Sequence, residues 1–208
     1  MKRLFKEDEL KKIEAQIQTS ESLFSGQIVV LSVQKSDPYT SARLRLGFIG
    51  IVSGSLLYLL STKNFEPSID ALLASQFFGF VVLYAIGRWS FAIRKFIPAS
   101  VLNLRVHRAA FAEFVERGVH STENNNGVLI YLSESERRVQ IVADTNAHKA
   151  LGETVWVHEA RKIVEGIKAG KAVNAVCHSI ESLASQLQKH FPATALDKNE
   201  ISNQVLVE

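Results

Sequence analysis

The sequence predicts an α/β domain interrupted by a transmembrane helical hairpin. Three observations carry that prediction. Two apolar blocks without a charge, residues 46–60 and 71–87, lie close together in the 208-residue chain. Three short runs outside them, residues 27–34, 127–132 and 137–143, have the β-branched composition of strands. The stretches around those runs carry apolar residues at helical spacing.

The first helix is expected over residues 7–24, where Leu10, Ile13 and Ile17 recur on one face. Ser25-Gly26 stops it, and residues 27–34 form a strand dense enough in valine and isoleucine to be buried on both faces. Asp37-Pro38 ends that strand. Residues 1–42 are thus the first part of a soluble domain, and residues 43–97 hold the hairpin, with helices at about 46–62 and 71–93.

The soluble domain resumes at residues 98–191. A helix opening at Pro98 and Ser100 runs to about residue 119, with Leu102, Val106, Ala109, Ala110, Phe114 and Val115 as its apolar stripe. A polar loop leads into the strand at 127–132, residues 133–136 turn the chain, and residues 137–143 return as a hairpin partner. Helices are expected at about 153–168 and 171–190, the second with Val173, Val176, Ile180, Leu183 and Leu187 as core. The tail, residues 192–208, is polar and expected to be disordered. Strand, helix, strand in this order implies parallel pairing of the first two strands. The insertion follows the first strand directly, which puts the turn at 133–136 at the membrane edge of the sheet and Asp144 at the opposite edge.

At 1.5 Å per residue, a hydrocarbon core of roughly 30 Å takes about 20 helical residues. The first block is short by that measure and borrows Arg43 and Arg45 as snorkelling flanks. The second reaches the length if Arg88 lies near the interface and Trp89 joins the aromatic belt. Buried helices of a soluble core keep some polar face, and these blocks have none. Gly50 and Gly54 form a GxxxG pair suited to close helix approach in lipid. Basic residues flank the pair of blocks (Arg43, Arg45, Arg88, Arg94, Lys95), while the loop between them holds one lysine. The positive-inside rule then places both chain ends in the cytoplasm of a multi-pass inner (plasma) membrane protein. The start of the chain turns acidic at Glu7-Asp8-Glu9 where a signal peptide would be apolar, so export of that end is not expected.

The net charge of +3 is too small to imply nucleic-acid binding without a clustered patch. One cysteine, Cys177, excludes an internal disulfide and a cysteine-based zinc site; it reads as a small core residue, and His178 points about 100° away from it on a helix. His158-Glu159-Ala160-Arg161-Lys162 begins like a zinc-protease motif but has lysine where the second histidine must be. No GxSxG or phosphate-binding loop is present.

The stretch from Asn124-Asn125-Asn126-Gly127 through the two strands to Asp144 resembles the central block of the TPM domain family. Residues 25–30 resemble its first strand, and Lys168-Ala169-Gly170 with Phe191-Pro192 its closing region. The resemblance implies an α/β/α sandwich and, from some plant members, an acid phosphatase activity and a calcium site. Residues 142–145 and 151–154 stand where many members have a G-Y-G-like segment and an acidic L-T-D, so the family's metal ligands do not transfer as a set.

Asp144, His148 and Glu153 make the best polar cluster for chemistry. Asp144 and Glu153 are the candidate metal ligands, for Ca²⁺ or Mg²⁺. Asn125, Asn126, His148 and Arg137 are the candidate ligand-binding residues. The competing reading is that Asp144 and Asn146 simply turn the chain after the strand. Arg137 and Arg138 alternate across the sheet and do not grip one phosphate together. No catalytic residue is assigned. The expected function is therefore an interaction or assembly module facing the cytoplasm, with the lipid bilayer and a membrane protein as partners and no nucleic acid; the alternative is a metal-dependent phosphatase near the membrane.

Overall fold

The structure is a computed structural model that describes residues 4–62, 68–88, 97–193 and 204–207. The chain divides into two compact units, Met1–Ser36 with Asn103–Glu208, and Asp37–Leu102.

The first unit is a mixed α/β domain. Helix α1 (Glu7–Glu21) starts where the Lys6 N–H donates to the Glu9 carboxylate at 2.8 Å, and three acidic residues in its first turn suit the helix dipole. It buries Ile13 and Ile17. Strand β1 (Ile28–Val33) is buried at all six positions, as expected of a strand covered on both faces. Strand β2 (Val128–Ser133) runs parallel to β1, with Ile28 opposite Val128 and Val33 opposite Ser133. Strand β3 (Arg138–Ala143) returns antiparallel along β2.

Alternation along the strands sorts the core into two layers. Ile28, Val30, Val128, Ile130, Leu132 and Ile141 pack on one face with Ile13 and Ile17 of α1 and with the helices that follow the sheet. Val29, Leu31, Val33, Leu129, Tyr131 and Val142 pack on the other with Val106, Ala110 and Phe114. Those three residues belong to a helix, Ala99–Glu116, that is α4 in chain order. Its Val115, expected on the inner stripe, is 43% exposed.

Two elements were not expected. A seven-residue helix, α5 (Thr145–Leu151), follows β3 directly, ahead of α6 (Glu153–Lys168) and α7 (Ala172–Leu187). It is too short to show periodicity, and its only sequence signal is the N-cap Asp144. The tail is also corrected in part. Leu206–Val207 form β4, parallel to β1, giving the sheet order β3-β2-β1-β4, and Val205 is buried in the core. A two-residue strand carries no alternation to read. Pro192, where disorder was expected to begin, bridges to Phe24.

The second unit contains two helices, α2 (Thr40–Ser61) and α3 (Ile69–Ile86), both long and apolar enough to cross a membrane. Helix α2 begins six residues before the expected start at 46. Its 22 residues span about 33 Å, a length that takes in Arg43 and Arg45 in its first turns. Helix α3 ends at Ile86, where the Gly87 N–H donates to Leu83 O at 3.0 Å; residues 89–93 of the expected span lie outside the described residues. The two pack as a hairpin through their glycines. A β-carbon on Gly50 would overlap the Gly79 carbonyl, one on Gly79 the Gly50 carbonyl, and one on Gly54 the Ser75 carbonyl. Gln76 Nε2 donates across to Ser55 Oγ at 3.0 Å, and the hydroxyls of Ser53, Ser55 and Ser75 donate to carbonyls of their own helices.

Candidate functional site

The candidate residues fall at the end of the sheet where β2 begins and β3 ends. The chain reaches β2 through a tight loop: a 3-10 turn at Val119–Ser121, then Thr122, whose Oγ1 accepts from the Asn126 N–H at 3.1 Å. Asn125 has a left-handed backbone, φ 47°, which asparagine tolerates well. Gly127 comes so close to the Val119 carbonyl that a β-carbon there would overlap it. This crowding drives Asn126 inward, where it is 1% exposed and its Nδ2 donates to Ser25 O. Asn124 Nδ2 donates to Ser25 Oγ at 2.9 Å.

Asp144 is buried next to this loop in sequence register. Its N–H donates to Gly127 O at 2.9 Å, and its Oδ1 accepts from the Thr145 N–H at 2.6 Å as the N-cap of α5. Asn146 then ties the helix back, its N–H to Asn125 O at 3.0 Å and its Nδ2 to Asn124 O at 2.9 Å. The structure therefore brings Asp144 together with Asn124, Asn125, Asn126 and Asn146. Most of these polar groups are already spent on backbone partners. The exception is Asp144 Oδ2, which is buried and has no hydrogen-bond partner among the described residues.

His148 and Glu153 do not complete a site with Asp144. Both are exposed. Glu153 opens α6 beyond Gly152, at the far end of α5, and a seven-residue helix is about 10 Å long. Among the described residues, no three or more His, Cys, Asp and Glu are grouped to hold a metal ion. A calcium ion takes six to eight oxygens at about 2.3–2.6 Å. One orphaned carboxylate oxygen beside committed asparagines does not fit that requirement.

Arg137 is at the other end of the sheet, exposed, with φ 53° in the β2–β3 turn. That turn is stapled to the end of β1 by Glu134 N–H to Val33 O at 3.0 Å and Ser135 N–H to Gln34 O at 3.1 Å. Sequence reading missed the network beside it. Tyr131 OH donates to Ser36 Oγ at 3.1 Å, Ser36 Oγ donates to Ser133 Oγ at 2.8 Å, and Ser133 Oγ donates to the buried Glu136 carboxylate. The only signal was four hydroxyl and carboxyl residues at strand ends, which register alone converts into a chain. Of the membrane-interface candidates, Arg43 is half-buried and Arg45 and Arg88 are exposed; Trp89, Arg94 and Lys95 lie outside the described residues.

Fold and site together define a small α/β/α domain with a four-stranded mixed sheet and an inserted helical hairpin. The chain is similar in structure to the BA42 protein of the psychrophilic bacterium Bizionia argentinensis, solved by NMR. The TM-score is 0.60 at 18% identity, and the match covers 98% of this chain and 95% of that one. That neighbour has a TPM-domain-like fold, and at this identity the likeness speaks for the fold alone. The sequence matches no protein-family model and no curated protein sequence.

Proposed function

We propose that this chain is a membrane-anchored TPM-type module that holds a partner protein at the cytoplasmic face of a bilayer and has no catalytic centre of its own. The observation that carries this reading is how the candidate site is spent: the side chains of Asn124, Asn126, Asp144 and Asn146 bond Ser25, the Thr145 N–H and the Asn124 carbonyl to close the fold. A catalytic set needs a nucleophile or base aimed at open space; here Asp144 and Asn126 are buried, and exposed Asn124 and Asn146 are held by hydrogen bonds within the loop. The anchor is supported by α2 and α3, whose Phe48, Val52, Leu57, Phe77 and Phe78 are each more than 60% exposed and so present a surface that water does not favour. Basic residues around the hairpin orient both ends inward by the positive-inside rule.

The test is crosslinking in native membranes followed by mass spectrometry. One partner recurring through lysines of the α/β domain is expected; crosslinks no more frequent than those of an unrelated membrane protein overturn the reading. A second reading, a metal-dependent phosphatase, rests on the unpartnered Asp144 Oδ2. It requires hydrolysis of p-nitrophenyl phosphate with Mg²⁺ or Ca²⁺ that falls in Asp144→Asn, a variant that keeps a cap oxygen. Equal rates in variant and parent eliminate it.

A further inference from the structure

Helix α4 has two apolar faces, and the domain uses only one. Val106, Ala110 and Phe114 pack on the sheet. On the other side Leu104, Phe111 and Val115 are 49%, 55% and 43% exposed. With Arg108 they fall within about 60° of one another around the helix at 100° per residue. Single exposed apolar residues are ordinary, but a stripe along three turns is a docking surface.

Its charge says what it docks against. From Ala99 to Ala112 the helix has no acidic residue, while Arg105, His107 and Arg108 are basic. The first acidic residue, Glu113, is paired to Arg117 at 2.7 Å. Arg108 sits mid-stripe, so a symmetric pairing of two copies about the stripe's centre would bring like charges together. An anionic headgroup layer accepts both the arginine and the apolar side chains. Connection length agrees. Residues 87–98 join α3 to α4, and twelve residues reach about 42 Å at most.

We propose that the outer face of α4 lies in the headgroup layer of an anionic membrane as an interfacial helix, so that the bilayer covers Leu104, Phe111 and Val115. This rests on the anchored reading above. The domain is then held to the lipid by a surface as well as by a tether.

The test uses the full chain in a Cys177→Ser background, reconstituted in phosphatidylcholine vesicles with and without phosphatidylglycerol. A single fluorescent label is placed by Val115→Cys on the stripe, by Val157→Cys on exposed α6, or by Leu57→Cys in the hairpin. Quenching by lipids nitroxide-labelled near the headgroup is read at each site. At Val115 it is expected to exceed Val157 several-fold, and to fall with Arg108→Glu or without phosphatidylglycerol. Quenching at Val115 no greater than at Val157, with Leu57 still quenched by deep-labelled lipid, overturns the inference and leaves the anchor standing. A Val115 label shielded from aqueous iodide but unquenched by lipid means a protein neighbour and overturns it too. An unquenched Leu57 removes the anchor and the inference together.

Discussion

Asn126 shows how one side chain can look like a ligand and act as a rivet. It is 1% exposed, donates to Ser25 O and takes its own N–H to Thr122 Oγ1, so it joins the entrance of β1 to the entrance of β2. Asn126→Ala removes the amide that donates to the buried Ser25 carbonyl, a loss of about 2 kcal/mol. Asp144→Ala removes the cap of α5 for about 1 kcal/mol, while exposed Glu153→Ala should stay within about 0.5 kcal/mol. Urea unfolding in detergent, followed by Trp156 fluorescence in a Trp89→Phe background, ranks the three; a Glu153 effect as large as that of Asn126 contradicts the assignment. The sequence showed these residues as a cluster but not their use, because a buried asparagine and a ligand asparagine differ only in what their amides face. Cys177 is legible in the same limited way. Burial pushes its thiol up, opposed by a backbone hydrogen bond and by Lys12. The unfolded chain ionises first, so this contribution to stability is full below the ordinary thiol range and is lost as pH rises from there through the raised folded value. Alkylation by iodoacetamide at mildly alkaline pH should accordingly be slower in the folded protein than in urea; equal rates refute the shift.

At the scale of elements, what was readable depended on length. The six-residue strands and the 15- to 22-residue helices have enough positions for composition or spacing to show, and they lie close to where the sequence puts them. Helix α5 and strand β4, at seven and two residues, do not. The GxxxG pair was readable as a close approach, but its partner was not, since Gly50 and Gly54 meet Gly79 and Ser75 of the other helix in the same hairpin. That contact predicts a specific failure. Gln76 Nε2 reaches Ser55 Oγ at 3.0 Å and a β-carbon on Gly54 would lie 3.4 Å from Gln76 Cα, so a Ser55→Cys, Gln76→Cys pair in a Cys177→Ser background is expected to form a disulfide under oxidant. Adding Gly50→Val forces the backbones apart and should cut the yield several-fold. Unchanged yield would mean that the helices do not need the glycine contact.

At the scale of the molecule, the hairpin is an excursion between two strands that end side by side. Strand β1 pairs in parallel with β2, yet residues 34–127 lie between them, including both apolar helices. A parallel pair needs a crossover in any case, and α4 supplies it by packing Val106, Ala110 and Phe114 on the sheet. The two main core clusters draw only on residues of the α/β unit, while Tyr39, Leu46 and Leu102 form a small cluster inside the helical unit. Each unit therefore closes its own core, and the covalent insertion places little demand on the sheet. Loop-closure entropy grows only slowly with length, by about 0.6 kcal/mol per doubling, so the sheet tolerates the excursion and should equally tolerate its removal. Replacing residues 38–97 by a flexible Gly-Ser linker is expected to leave a soluble domain with cooperative thermal unfolding and the far-ultraviolet circular dichroism of an α/β fold. The stripe on α4 should remain on it, so the shortened protein should still co-sediment with phosphatidylglycerol vesicles and release at high salt. A domain that unfolds without cooperativity would show that the hairpin is part of the fold's stability, because the sheet would then need more than α4 to bring β1 and β2 together.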